Sequence, residues 1–145
     1  KLIVKSRNVT QKRLELCGIK KIEEIIIPHK ENILCNKIQI CINRNVDIIL
    51  IIGPHAITHI KDVIPNAISK SGAKIIRFGI PVEPGNLLLL SKFKSSNKDI
   101  YIIGMPSCAK SPKENGLDWV LWRILCNIDF KNSNLNELSV GGLIK

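Results

Sequence analysis

The run Val46-Asp47-Ile48-Ile49-Leu50-Ile51-Ile52 limits the fold of this chain more than any other stretch. Asp47 aside, every side chain in it is aliphatic, and the run stops at Gly53-Pro54. A strand with one wet face alternates apolar with polar residues. A continuous run is the pattern of a strand covered on both faces, as in the middle of a parallel sheet. We therefore expect a central parallel strand over 46–52, with helices on both sides.

The flanking segments fit that frame. Residues 2–17 tolerate a helix, and Gly18 stands where a helix C-terminus favours a left-handed residue. Ile22 to Ile27 reads as a short strand ended by Pro28. Over 31–42, Ile33, Leu34, Ile38, Cys41 and Ile42 recur at helical spacing. The segment KDVIPNAISKSG carries Asp62 as a natural N-cap, Pro65 within the first turn and Gly72 at the end. Residues 73–79 supply a strand, 86–104 two more around the turn-rich KSSNKD, and 117–128 a helix. Strands alternating with helices of this length imply βαβ units. The expected fold is α/β: a three-layer α/β/α arrangement with a mostly parallel central sheet and one antiparallel hairpin. The tail 131–145, polar and then Gly-rich, is expected to mark a boundary with a following domain.

Composition narrows the partners. The 145 residues fit one domain and include 27 Ile against three Phe, two Trp and one Tyr, which favours a doubly covered sheet over an aromatic-rich binding surface. The net charge of +10 is spread evenly: residues 1–72 hold 12 Lys/Arg and 6 Asp/Glu, residues 73–145 hold 10 and 6. With no basic block and few stacking aromatics, nucleic acid is not expected as a partner. A basic field still suits a small, multiply anionic ligand. No run approaches the roughly 20 apolar residues of a membrane helix, so no membrane is expected. The five cysteines show no CxxC spacing, so reduced thiols in the cytoplasm are the expectation, and no metal site is expected. Neither GxGxxG nor GxxxxGK[ST] occurs, and no Ser-His-Asp or Cys-His set presents itself.

Three loops leave strand ends with unusual chemistry: 53–62, 79–86 and 104–116. In open α/β sheets ligands bind at the carboxyl ends of strands, beside helix N-termini whose N–H groups attract oxyanions. Pro81, Pro84 and Gly85 would stiffen the second loop so that, with Glu83 and Asn86, it frames one wall of an anion pocket. On that view Gly85→Val loses ligand binding more than fold. Most side chains here carry two readings. Asp62 is a helix cap or a ligand contact, and Asp118 likewise. His55 and His59 are metal ligands or solvated loop residues. Cys108 is a thiol activated by a helix N-terminus or a packing residue. Lys110 and Lys113 contact phosphate or are ordinary solvated charges. Glu83 binds Mg2+ or orders its loop, and at least one of Trp119 and Trp122 belongs to the core.

Taken together and in this order, GPHAITHIKDVIPNAI, GIPVEPGNLLLL and GMPSCAKSPKENGLDWVL resemble the molybdopterin-binding domain of molybdenum cofactor biosynthesis proteins of the MoaB/Mog type. The nearest likeness is to the bacterial subgroup in which this domain can be fused to a nucleotidyltransferase. The resemblance covers most of residues 1–145 and implies a MoaB/Mog-like fold. It implies a pterin dithiolene with its phosphate as ligand, in a transferase that adenylylates it or inserts molybdenum, with Mg2+ and ATP or molybdate. It implies a nucleotidyltransferase partner domain, fused or separate, and a homo-oligomer.

By the same resemblance Asp62 is the candidate catalytic residue. The candidate binding residues are Gly53, Ala56, Thr58, Asp62, Glu83, Pro84, Gly85, Asn86, Pro106, Ser107, Lys110 and Ser111. The family's first strand would precede Lys1, so the chain is expected to be a piece of a longer protein. Pro54-His55 stand where relatives keep small residues, and Ser107 stands where Gly is usual. Two other readings stay open: a non-catalytic binding or assembly module that keeps the fold, and a general nucleotide-binding α/β domain.

Overall fold

In chain order the elements are α1 (Leu2–Leu16), α2 (Glu31–Asn43), β1 (Ile48–Ile51), α3 (Val63–Lys70), β2 (Lys74–Phe78), β3 (Leu89–Lys94), β4 (Asp99–Gly104), a 3-10 turn (Ser107–Lys110) and α4 (Gly116–Leu125). The computed structural model describes residues 2–128, 130, 135, 136 and 138. The boundary expected over 131–145 thus lies, apart from residues 135, 136 and 138, outside the described residues.

The four strands form one sheet in the order β1-β4-β3-β2. β1 pairs with β4 in parallel, whereas β3 is antiparallel to both β4 and β2. Three strands therefore point the same way, yet two of the three pairings are antiparallel, because β3 returns between the other two. The sheet is mixed rather than mostly parallel in its pairing. The expected hairpin is β3–β4, closed by Ser95 N–H donating to Lys98 O at 3.0 Å.

The strand pattern is explained by period 2. Leu88 and Leu90 enter one core with Ile103, while Leu89 enters the other with Ile100 and Ile102. The first core is completed by Leu14 of α1 and by Leu117, Val120, Leu121 and Ile124 of α4. The second is completed by Leu34, Cys35, Ile38 and Ile42 of α2 and Ile64, Ala67 and Ile68 of α3. Helices thus cover both faces, giving the three layers. Burying one such side chain is worth about 1.5–3 kcal/mol, so two dry faces favour continuous aliphatic strands.

Two further expectations differ from the structure. The run 46–52 is not a central strand: β1 is at the edge of the described sheet, and Ile48, Ile49 and Leu50 are half-buried. An aliphatic run reports cover on both faces, not neighbours on both sides, and helices supply that cover here. Residues 22–27 form no strand. Strand propensity measures fit to a half-buried pleated surface, and these residues find none: Ile26 is 70% exposed. Glu23 and Glu24 instead pair with Arg44 and Arg7.

Candidate functional site

Register places the three loops on one sheet edge. Ile51 is opposite Gly104, Gly104 opposite Leu89, and Leu89 opposite Phe78, so the segments after β1, β4 and β2 all depart from that edge. Within it, the β1 and β4 loops are neighbours. Lys110 Nζ donates to Gly53 O at 3.3 Å and ties them together. Close packing sets their path: a Cβ on Gly104 would meet Ile57 Cδ1 at 2.5 Å, and one on Gly53 would meet Ile64 Cδ1 at 2.9 Å.

Asp62 stands at the N-cap of α3 but makes no capping bond. Its carboxylate turns back and accepts Thr58 N–H and His59 N–H, both at 3.3 Å, bracing the loop instead. The loop adds its own brace where His59 Nδ1 accepts Lys61 N–H at 3.0 Å. His55 and Thr58 are exposed and Ala56 is half-buried. Asp62 offers Mg2+ one carboxylate that already holds two backbone N–H groups. Among the described residues, no group of three or more His, Cys, Asp or Glu gathers where a metal ion would sit.

The 79–86 loop is held both by its own backbone and by a helix. It closes on itself through Gly79 N–H to Leu88 O and Ile80 N–H to Asn86 O, both at 2.9 Å. It then seats Gly85, at φ +127, against the start of α4, where a Cβ would meet Gly116 N at 2.5 Å. Pro84 O accepts Gly116 N–H at 2.8 Å. The proline- and glycine-rich path thus splices the sheet edge to a helix, and a side chain at Gly85 would press on that helix. Glu83 and Asn86 point outward into solvent exposure.

That splice also closes the α4 N-terminus to anions. Gly116 N–H is taken by Pro84 O, Leu117 N–H by Asn115 Oδ1 at 3.0 Å, and Asp118 N–H by Asn115 O at 2.9 Å. Asp118 completes a capping box, its Oδ2 accepting Asn115 N–H at 2.9 Å. The donors expected to greet a phosphate there are engaged by the protein itself.

Of the remaining candidates, Pro106 is buried, Ser107 exposed, and Lys110 and Ser111 half-buried. Lys113 exposes its side chain while its carbonyl faces inward. Burial pushes the Cys108 thiol above its ordinary range, opposed by backbone hydrogen bonding and, more weakly, by Arg13, with the Glu83 charge adding to the rise. Trp119 packs on the α4-side core and Trp122 is 45% exposed.

Sequence reasoning passed over Arg13. This residue of α1 is buried, and its Nε donates to Asp118 Oδ1 at 2.5 Å. The same guanidinium reaches Ala109 O at 2.9 Å, Ser111 O at 3.1 Å and Lys113 O at 3.2 Å. Nothing local sets Arg13 apart from Lys12, because its carboxylate partner is 105 residues away.

No protein-family model matches this chain, and neither a curated protein nor a solved structure matches it. No described helix is long and apolar enough to cross a membrane.

Proposed function

We propose that this chain binds molybdopterin in molybdenum cofactor biosynthesis, in the cytoplasm, within a transferase that adenylylates the pterin or inserts molybdenum. One observation carries the reading. The three segments that bear the sequence resemblance are dispersed over 53–121, yet the loops they contain all depart from the same sheet edge. Ligands of open α/β sheets bind at such an edge.

Lys110 would meet the phosphate, its ammonium held beside Gly53 O across the two neighbouring loops. Asp62 would act by position, fixing the Thr58 and His59 backbone and so the shape of the pterin-facing loop. A nucleotidyltransferase domain, fused or separate, and further copies of the chain fit this role as partners.

A second reading has an observation of its own. The α4 N–H groups are bonded within the protein, which withdraws donors that phosphate chemistry would use. That favours a binding or assembly module that keeps the fold without turnover.

Titration of the folded chain with molybdopterin, beside Asp62→Ala and Lys110→Ala, tests the proposal. We expect saturable binding by the wild type, weakened about tenfold by loss of the Lys110 charge-assisted contact. No binding by a folded wild type overturns it. Binding without turnover on adding ATP or molybdate selects the module.

A further inference from the structure

The guanidinium of Arg13 does more than neutralise a buried carboxylate. Of its four hydrogen bonds, one goes to Asp118 and three to main-chain carbonyls, those of Ala109, Ser111 and Lys113. Two of those carbonyls flank Lys110, whose Nζ reaches Gly53 O. The planar fork of an arginine fixes several acceptors at once, which a lysine ammonium on a flexible stem does not. Apart from these bonds Ala109 N–H donates to Pro106 O at 3.0 Å, Ser111 N–H to Cys108 O at 2.9 Å and Asn115 Nδ2–H to Lys113 O at 3.0 Å, and the Ala109 side chain is buried in the core under α1 and α4. The first two close single turns and the third reaches only the α4 N-cap, so Arg13 is the side chain that ties the three carbonyls together and to α1.

We propose that Arg13 is the positioning residue of the candidate site: from α1 it fixes the backbone of residues 107–113 and thereby sets where Lys110 presents its ammonium. The effect on ligand rests on the proposed function. The effect on the loop does not.

A buried arginine left without its carboxylate, or the reverse, destabilises strongly, so single truncation confuses loop order with folding. Two variants separate them. Arg13→Lys keeps the charge for Asp118 but lacks the fork. The double variant Arg13→Met with Asp118→Asn removes both charges and leaves an amide oxygen to accept Asn115 N–H.

Amide hydrogen exchange on the full chain is read for residues 107–113 and for β3 and β4. In both variants we expect exchange within 107–113 to rise at least about tenfold while the β3 and β4 amides hold their wild-type rates, as loss of local bonds requires. Unchanged exchange in 107–113 overturns the proposal. So does an equal rise in β3 and β4, which makes Arg13 a general stabiliser.

Molybdopterin titration of the same proteins reads the second half, with Kd expected to rise about tenfold or more in Arg13→Lys. A variant with a loosened loop and wild-type affinity overturns the positioning role. A wild type that binds no molybdopterin sinks the pterin reading instead, and exchange still decides whether Arg13 fixes the loop.

Discussion

Gly85 shows how one residue joins two parts of the chain. Its φ of +127 disfavours any L side chain, and a Cβ would come within 2.7 Å of Gly116 Cα. The residue is therefore required twice, by its own backbone and by the helix it touches. Gly85→Ala is expected to destabilise the fold by about 2–4 kcal/mol, combining strain with forced separation of the loop from α4. Urea unfolding measures this directly. A loss below about 0.5 kcal/mol would mean that the loop and the helix move apart freely.

Helices α2 and α3 are tied side by side through one carboxylate. Glu31, in the first turn of α2, pairs with Lys70 in the last turn of α3 and accepts Asn66 Nδ2–H at 3.1 Å. The Lys70 hydrogen bond, followed by that of Asn66, holds the Glu31 carboxyl below its ordinary range. A lowered carboxylate gives stability that is fully present above its unfolded titration and is lost as pH falls through the folded one. Glu31→Gln should therefore lower Tm at about pH 7 and cost progressively less towards about pH 3. The pair is at the surface, so added salt should shrink the difference at neutral pH. A Tm gap that stays constant across this range would assign the loss to packing.

At the scale of the whole fold, the described residues form two cores on one sheet. Ile68 lies in the core under α2 and α3, and Leu121 in the core under α1 and α4. Ile68→Val is expected to cost about 0.5–1.5 kcal/mol and Leu121→Ala about 2–5 kcal/mol. Their sum should match the double variant within about 0.5 kcal/mol, because the two side chains lie in separate cores on opposite faces of the sheet. Leu90→Ala with Leu121→Ala, within one core, should deviate from additivity by more than that. Strong coupling between Ile68 and Leu121 would show that the sheet passes strain from one face to the other.

What the sequence determined by itself was local. Periodicity at Ile33, Leu34, Ile38 and Ile42 set α2, the Gly18 position ended α1, and the leucines before Ser91 marked β3, because each follows from neighbours a few residues away. The grouping of 53–62, 79–86 and 104–116 at one edge was legible too, since strand direction carries each loop to the same side. What only the tertiary structure decided depends on partners far along the chain. The β1 run says that it is covered but not which strand pairs with it, and Ile22 to Ile27 has the residues of a strand without a sheet to join. Asp118 serves both a cap, visible three residues away, and a salt bridge to Arg13 that is not. Arg13 itself looks like any surface cation until folding brings the 109–113 carbonyls around it.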